Sequence, residues 1–294
     1  RLVQTRIKSM KVSLIAVDEA HCISQWGHDF RPAYRNIKIL RTLCPETNVI
    51  ALTATATKHV IKDVTEQLDF LNHKVYKSSF FRSNLSYNSI ALEDPKYKAI
   101  SILKKIKSSA IVYVRSRIET EQLAKTLELE GISCGYYHGG MSFKKKELMY
   151  LDWIDNKFSV MIATNAFGMG IDKSNVEVVI HLTIPESLEA YFQESGRAGR
   201  NGDKAFAYLI TGPSNVTNMK TRFENLLPNI SFLKLIYKKL CIHFQIGYGE
   251  YNDQRQGLYF DNFCKIHKLS KLKTFNALKT LQSYGVLILS LIHI

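Results

Sequence analysis

The sequence predicts an α/β protein in which parallel sheets are followed by a small helical module. Short apolar runs alternate with helical segments as far as about residue 212, and polar or glycine-rich stretches follow several runs directly. After Gly212 and Pro213 this alternation stops. We therefore expect an incomplete α/β lobe at residues 1–87, a complete α/β lobe at 88–212, and a small helical module at 213–294.

The two lobes are predicted from runs that are apolar throughout, as strands buried on both faces of a sheet are. The predicted strands are residues 12–17, 49–52, 110–114, 160–163, 176–182 and 205–210. Between them, residues 119–130 and 143–156 carry apolar side chains at helical spacing. A polar stretch around residues 93–98 is expected to connect the lobes.

The C-terminal module shows only helical patterns. An apolar stripe at helical spacing consists of Phe232, Leu235, Ile236 and Leu240. Residues 260–267 and 271–284 predict two further helices, the second ended by Gly285. Such a pair is typical of a helix-turn-helix that binds DNA, and equally of two packed helices that do not. Residues 289–294 continue no recognisable element.

Composition narrows the class of protein. The net charge of +14 favours a polyanionic partner such as nucleic acid, although many basic proteins bind none. The five cysteines include no Cys-x-x-Cys pair, which argues against a disulfide framework and a zinc knuckle. Because there is no apolar run of about eighteen residues and no signal peptide, we expect an intracellular protein without membrane contact.

Two neighbouring carboxylates, Asp18 and Glu19, directly follow the first predicted strand. The carboxyl ends of parallel strands are where α/β folds bind ligands, and paired acids there suit Mg²⁺. One carboxylate can hold a metal that bridges terminal phosphates, while its neighbour orients and deprotonates an attacking water. The alternative is a solvated turn at the end of a strand.

The loop at residues 22–32 is dense in aromatic and hydrogen-bonding side chains. Trp26 and Phe30 can stack on bases and Arg31 can contact phosphate, as single-strand binding surfaces require. The alternative is an aromatic loop that faces the core.

A run of small hydroxyl residues, Thr-Ala-Thr-Ala-Thr at 53–57, follows the second predicted strand. Its hydroxyls can hydrogen-bond across a cleft to the carboxylate pair. The run can equally cap the next helix, and both interpretations stay open.

Residues 163–173 begin where the predicted strand 160–163 ends. Gly168 and Gly170 let the backbone approach a ligand, and Asp172 can accept from a ribose hydroxyl or pair with a neighbouring basic group. The alternative is a plain glycine turn.

Arg197 and Arg200 lie three residues apart among glycines. If this stretch is helical, both guanidinium groups face one side, where they can stabilise charge on a transferred γ-phosphoryl group. The alternative is a pair of surface arginines.

Taken in order, these segments resemble the motif series of superfamily 2 helicases. The matching stretches are residues 16–34, 51–57, 110–141, 160–173 and 193–202. Asp-Glu-Ala-His-Cys-Ile-Ser-Gln-Trp-Gly-His-Asp-Phe-Arg-Pro, at residues 18–32, resembles the acid box and aromatic-rich loop of the RecQ family in particular. The resemblance covers roughly residues 10–212.

The resemblance implies an ATP- and Mg²⁺-dependent 3′-to-5′ DNA helicase with two RecA-like lobes. Asp18 would hold Mg²⁺ through ATP and Glu19 would activate water, while His21 and residues 53–57 would couple the lobes and the two arginines would contact the γ-phosphate. The implied nucleotide-binding residues are Asp18, Glu19, Gly170, Asp172, Gln193, Arg197 and Arg200. The implied DNA-facing residues are Ser24, Gln25, Trp26, His28, Phe30, Arg31, Tyr137, His138 and Thr164.

Two departures from the family pattern change these expectations. No Gly-x-x-x-x-Gly-Lys-Ser/Thr occurs in the sequence, so we expect the phosphate-binding loop to lie upstream in a longer parent and this chain to bind and hydrolyse ATP poorly. Many relatives carry four zinc-binding cysteines after the arginine motif, whereas only Cys241 and Cys264 follow it here, so we predict no zinc. The module at 213–294 would then resemble the helical and winged-helix region that other relatives keep without the metal, truncated so that its wing is cut short.

The leading hypothesis is that the intact parent couples ATP hydrolysis to DNA unwinding in repair, recombination, replication or the SOS response. The alternative is a non-catalytic nucleic-acid-binding protein derived from a helicase. A related RNA motor is a third possibility, disfavoured by the aromatic-rich loop. The abundance of Lys, Ile and Asn suggests an AT-rich bacterial genome, and hence a cytoplasmic protein at the nucleoid.

Overall fold

A computed structural model describes residues 2–24, 31–168, 170–250, 254 and 256–289. The chain forms two compact units, Arg1–Thr211 and Gly212–Ile294. None of the described helices is long and apolar enough to cross a bilayer.

The first unit begins with a two-stranded parallel sheet. This part of the unit consists of α1 (Leu2–Lys8), β1 (Leu14–Val17), two 3₁₀ turns (Ala20–Ile23 and Pro32–Lys38), α2 (Ile39–Leu43), β2 (Asn48–Ala51) and α3 (Lys58–Gln67). Leu14 pairs with Asn48 and Val17 with Ala51. Ile15 and Val17 pack against α3, whereas Leu14, on the other face of the sheet, is exposed.

A second, six-stranded sheet completes this unit. Its elements are β3 (Leu85–Ala91), α4 (Pro95–Leu103), β4 (Ser109–Tyr113), α5 (Arg117–Leu129), β5 (Cys134–Tyr137), α6 (Phe143–Ile154), β6 (Val160–Ala163), β7 (Val176–His181), α7 (Leu188–Ser195) and β8 (Ala205–Thr211). All strands are parallel, in the order β3-β8-β7-β4-β6-β5. The predicted parallel α/β fold is confirmed.

Apolar side chains cover both faces of the six-stranded sheet. On one face Val112 and Ile180 pack with Leu123 and Leu127 of α5. On the other, a second cluster contains Ile111, Met161, Val179, Trp153 of α6 and Phe167. Every residue of β4 and β6 is buried, which explains why their sequences are apolar without alternation.

Each of the predicted strands corresponds to an observed strand, with ends shifted by a few residues at most. Two strands were not predicted, β3 and β5, and both lie at an edge of the sheet. Polar residues alternate along β3, and β5 contains a glycine, so neither resembles a continuous apolar run. Residue 88, the predicted start of the second lobe, lies inside β3. The stretch at 93–98 is not wholly a connection, because α4 begins at Pro95 with Asp94 as its N-cap.

The second unit is helical in its described part. It contains α8 (Pro213–Leu226), α9 (Ile230–Phe244), α10 (Phe260–Ile266) and α11 (Lys271–Ser283), and Ile236 packs there against Ala277, Leu278 and Leu281. Phe232 and Leu240 join this core, but Leu235 is exposed, so its place in the predicted stripe is wrong. Among residues 212–250, 254 and 256–289 there is no strand that would form a wing.

Candidate functional site

The acid pair lies in a tight turn at the carboxyl end of β1. Leu52 donates to the Val17 carbonyl, and Ala20 donates back to the Leu52 carbonyl, both at 2.9 Å, so the turn is fixed to the end of β2. Glu19 adopts a left-handed conformation with φ 48°, which is unusual for a residue with a side chain and costs free energy. Asp18 Oδ1 accepts from the Glu19 N–H at 2.8 Å. The turn leaves Asp18 exposed while Glu19 is largely covered.

Buried His21 connects the acid pair to the threonine run. Its Nδ1 lies 3.3 Å from Glu19 Oε2 and 3.0 Å from Thr53 Oγ1. Thr53 donates its own hydroxyl proton to the Thr55 carbonyl at 3.2 Å. Because Nδ1 faces a carboxylate and a hydroxyl that is already donating, we assign a proton to Nδ1 of His21.

The threonine run makes both kinds of contact that its sequence allowed. Thr57 caps α3 by accepting from the Val60 N–H at 3.3 Å. Thr55 instead reaches towards the second sheet, where its Oγ1 lies 3.4 Å from Gln193 Nε2 on α7. The predicted nucleotide-binding residue Gln193 therefore contacts the threonine run of the first lobe.

Arg197 presents a guanidinium group that is removed from solvent. It follows α7, is only 8% exposed, and its Nε has no hydrogen-bond partner among the described residues. It lies beside Tyr113, whose pKa is raised by burial and lowered in part by the positive charge of Arg197. A Cβ on Gly168 would lie 3.7 Å from Arg197 Nη2. A buried cation next to a glycine backbone without a side chain suits an anionic ligand such as a phosphate.

Arg200 is engaged differently from Arg197. Its Nη1 donates to Asp172 Oδ1 at 2.7 Å and to the Ile171 carbonyl at 2.8 Å. Of the two partners considered for Asp172, the structure therefore shows the basic neighbour. Gly170, in the same loop, has φ +76° and requires a residue without a side chain for conformational reasons. The premise that both arginines lie on one helix is wrong, because α7 ends at Ser195 and they occupy the turns beyond it.

The aromatic-rich loop is described only at its ends. Gln25, Trp26, His28 and Phe30 lie outside the described residues. Ser24 is completely buried, so its side chain has no exposed surface for DNA in this structure. Arg31 is half-buried, and its N–H donates to the Cys22 carbonyl at 2.8 Å.

The other implied DNA-facing residues lie at the carboxyl ends of the neighbouring strands β5 and β6. Tyr137 packs on Phe167, with 4.9 Å between ring centroids, and burial raises its pKa. His138 is buried, with Nε2 3.1 Å from Glu121 Oε1. Thr164 is also buried, and its hydroxyl accepts from the Ala166 N–H. Half-buried Tyr137 thus offers the most accessible side chain of the three.

One functional residue missed in the sequence is Lys173. Its Nζ donates to the carbonyls of Trp153 and Ile154 and to Asn156 Oδ1, at 2.7, 3.0 and 2.8 Å. It therefore caps the carboxyl end of α6 and fixes the loop that carries Gly170 and Asp172. Its position directly after Asp172 gave no signal for this role.

A second missed contact joins His181 and Glu194, whose Nε2 and Oε2 atoms are 2.8 Å apart. The His181 ring also stacks on Tyr113 at 5.0 Å. His181 is buried and Glu194 is 14% exposed, and their contact connects β7 to α7 just before the arginine turn, residues 196–203, which contains Arg197 and Arg200.

Comparison with known proteins bears on this arrangement. Residues 2–64 match the DEAD/DEAH box helicase family, and residues 95–202 match the helicase conserved C-terminal domain. Over 71% of its length the chain is 40% identical to ATP-dependent DNA helicase RecQ of Bacillus subtilis (strain 168), of which it covers 36%. Over 91% it is 35% identical to RecQ-like DNA helicase BLM of Xenopus laevis, of which it covers 21%. This chain belongs to the RecQ family of helicases.

The RecQ-family chain has a further viral relative. It is 35% identical, over 96% of its length, to the putative ATP-dependent RNA helicase R290 of Acanthamoeba polyphaga mimivirus, of which it covers 54%. It thus spans about half of that relative and less of the other two.

Among solved structures, S. cerevisiae Dbp5 bound to RNA and ADP BeF3 superposes with a TM-score of 0.59 at 20% identity. The match covers 78% of this chain and 61% of Dbp5. At that identity the likeness concerns the fold, and it confirms that the lobes are RecA-like.

Proposed function

We propose that this chain is part of an ATP-dependent 3′-to-5′ DNA helicase, in which ATP hydrolysis drives movement along one strand and separates the duplex. The proposal rests on one observation: a series of side-chain contacts connects one sheet to the other. It runs through Glu19, His21, Thr53, Thr55 and Gln193. The carboxylates of the first lobe are thereby linked to the helix that leads into the arginine turn.

The two carboxylates have different surroundings and would do different work. Exposed Asp18 would hold Mg²⁺ together with the phosphates of ATP, because oxygen ligands at the end of a parallel strand suit that ion. When bound, Mg²⁺ would neutralise charge on the phosphates of ATP, and ADP would be the leaving group. Glu19 would accept the proton of the attacking water at its carboxylate, and the His21 Nδ1–H holds that carboxylate in place.

Arg197 would contact the γ-phosphate. Its guanidinium is already removed from water, so its charge acts at full strength on an incoming phosphate and needs little reorganisation. Arg200 would contact the γ-phosphate only if it is released from Asp172. While it stays bound to Asp172, it would fix the Gly170 loop beside the nucleotide.

The chain alone is expected to bind ATP weakly. Its sequence contains no lysine loop of the Gly-x-x-x-x-Gly-Lys-Ser/Thr type, and that loop positions the β- and γ-phosphates in related motors. We therefore assign the activity to the full-length protein, acting on DNA at the bacterial nucleoid in repair or recombination.

The test measures ATP hydrolysis by the full-length protein with and without single-stranded DNA. We expect DNA to stimulate hydrolysis, and Glu19→Gln to lower kcat by about 100-fold or more, the effect of removing a general base. The matched control is Glu46→Gln, at an exposed position in the same lobe, which should retain wild-type kcat.

Three outcomes distinguish the candidate functions. Absence of DNA-stimulated hydrolysis would overturn the proposal, and DNA binding without any hydrolysis would support a non-catalytic binding protein. Stronger stimulation by single-stranded RNA, with unwinding of RNA duplexes, would instead favour an RNA helicase, the activity for which the mimivirus relative is named.

A further inference from the structure

The segment that leads from the first lobe into β3 is hydrogen-bonded to the arginine turn. The Arg82 guanidinium donates from Nη1 to the Gly196 carbonyl at 2.8 Å and from Nη2 to the Gly199 carbonyl at 2.5 Å. Asn84 Nδ2 donates to the carbonyls of Gly199 and Asp203, both at 2.8 Å. One short segment therefore holds three backbone carbonyls of a turn more than a hundred residues away.

The carbonyls that Arg82 holds are placed next to the two arginines. Gly196 directly precedes Arg197, and Gly199 directly precedes Arg200. A guanidinium group presents its N–H donors in a fixed planar fork, so binding both carbonyls at once sets their separation. The orientation of the peptide groups from which both arginine side chains project is therefore defined by Arg82.

Gly199 shows how closely the segment approaches. Its φ is +64°, and a Cβ there would lie 2.6 Å from Asn84 Nδ2 and 2.8 Å from the Ala205 Cβ. The Gly199 N–H also donates to the Val176 carbonyl at 2.8 Å. The turn is thus held from β7 on one side and from residues 82–84 on the other, with no room for a side chain.

Aromatic contacts continue this attachment along α7. Phe80 packs edge-on against Phe192 at 5.5 Å between ring centroids, and Tyr87 packs against Tyr191 at 5.9 Å. Residues 80–87 therefore pack along α7, the helix that carries Gln193 and precedes the arginine turn. The preceding segment, residues 69–79, forms no helix or strand and connects residues 80–87 to the first lobe.

Anchoring of β3 alone does not require these contacts. The strand already pairs with β8 over its whole length, from Leu85 with Ala205 to Ala91 with Thr211. Arg82 and Asn84 precede the strand and are directed at the carbonyls flanking the arginines. Their placement therefore suits control of the arginine turn better than attachment of the sheet edge.

We propose that Arg82, assisted by Asn84, is a positioning residue that holds the arginine turn, and with it Arg197, in the geometry required at the γ-phosphate. This inference rests on the proposed ATPase function. It adds that the connection between the lobes reaches the turn of Arg197 directly, so that a displacement of the connection is transmitted to that arginine.

The experiment compares Arg82→Ala, Arg82→Lys and Asn84→Ala in the full-length protein. The matched control is Arg41→Ala, which removes an arginine that contacts the Asp69 carbonyl in the first lobe. Dissociation constants are measured for ADP and for ADP with aluminium fluoride, which mimics the transferred phosphoryl group. Partial unfolding raises both apparent dissociation constants by the same factor, so a merely destabilised variant leaves their ratio unchanged.

We expect Arg82→Ala to weaken binding of ADP with aluminium fluoride by roughly 10- to 100-fold, the scale of a misplacement of about 1 Å, with ADP binding changed less than about twofold. Arg82→Lys should recover only part of the loss, because an ammonium group cannot fork between two carbonyls. Arg41→Ala should match the wild type. An unchanged ratio in Arg82→Ala would overturn the inference.

A second readout separates this inference from the proposed function. Amide hydrogen exchange of residues 194–203, measured without nucleotide, should become faster in Arg82→Ala and stay unchanged in Arg41→Ala. If the wild type lacks ATPase activity but exchange accelerates, the proposed function fails while the attachment stands. If exchange is unchanged in Arg82→Ala, the positioning role fails whatever the ATPase activity.

Discussion

At the scale of single residues, Thr53 and Thr57 belong to one short run but make different contacts. Thr53 binds His21, and Thr57 caps α3. We predict that Thr53→Val in the full-length protein reduces stimulation of the ATPase by single-stranded DNA by about tenfold, because the path from Glu19 to Gln193 loses its hydroxyl, a loss of about 1 to 1.5 kcal/mol in coupling. The measurement is the ratio of DNA-stimulated to basal kcat.

Thr57→Val provides the matched control for this prediction. Loss of the cap should lower the free energy of unfolding by about 1 kcal/mol without changing the stimulation ratio. Equal ratios in the two variants would show that the threonine run serves only to begin α3. The sequence left these two interpretations open because a hydroxyl suits both, and only the fold decides which hydroxyl faces which partner.

At the scale of elements, the packing of α9 against α10 predicts a dependence on pH. His267 of this pair lies with its ring centroid 4.7 Å from Phe263 and 6.2 Å from His243. Burial, Lys239 and His243 all lower the pKa of His267 below 6.5. The unfolded chain therefore binds a proton at a pH where folded His267 does not, and the second unit should lose stability as the pH falls below about 6.5.

The prediction is checked by following the thermal unfolding midpoint between pH 7.5 and 5.5. The midpoint should fall on acidification, and His267→Gln should show a shallower dependence because the titrating group is gone. His59→Gln, at an exposed position on α3, serves as the control and should keep the wild-type slope. A wild-type midpoint that is independent of pH would contradict the assignment.

Elements also show which parts of the fold could be predicted. The central strands β4 and β6 were evident because strands buried on both faces are apolar throughout. The edge strands β3 and β5 were missed because polar residues alternate along partly exposed β3 and β5 contains a glycine, so neither is a continuous apolar run. The acid pair and glycine loop could be found because α/β folds bind ligands at strand ends. Arg82 could not, because its partners are backbone carbonyls, which leave no mark in a sequence.

At the scale of the whole molecule, the second unit carries half of the net charge of +14 in less than a third of the residues. Residues 212–294 contain nine lysines and two arginines against four acidic residues. The pair α10 and α11 fits either a DNA-binding helix-turn-helix or two helices that only pack together. Lys271, Lys273 and Lys279 lie on α11, the second helix of the pair, and Ala277 and Leu278 hold the same helix in the core.

We predict that α11 contacts DNA phosphates. The association constant for duplex DNA should then fall as the salt concentration rises. Each phosphate contact that is lost reduces the steepness of log K against log salt concentration by about 0.9. The variant Lys271→Gln, Lys273→Gln, Lys279→Gln should therefore bind more weakly and show a slope smaller by about two to three. The control removes the same charge from three lysines of the first unit that, like Lys271 beside Asp261, pair with acids: Lys62→Gln, Lys104→Gln, Lys157→Gln. Equal slopes in the two variants would mean that α11 packs in the core without touching DNA, since loss of charge alone would affect both equally.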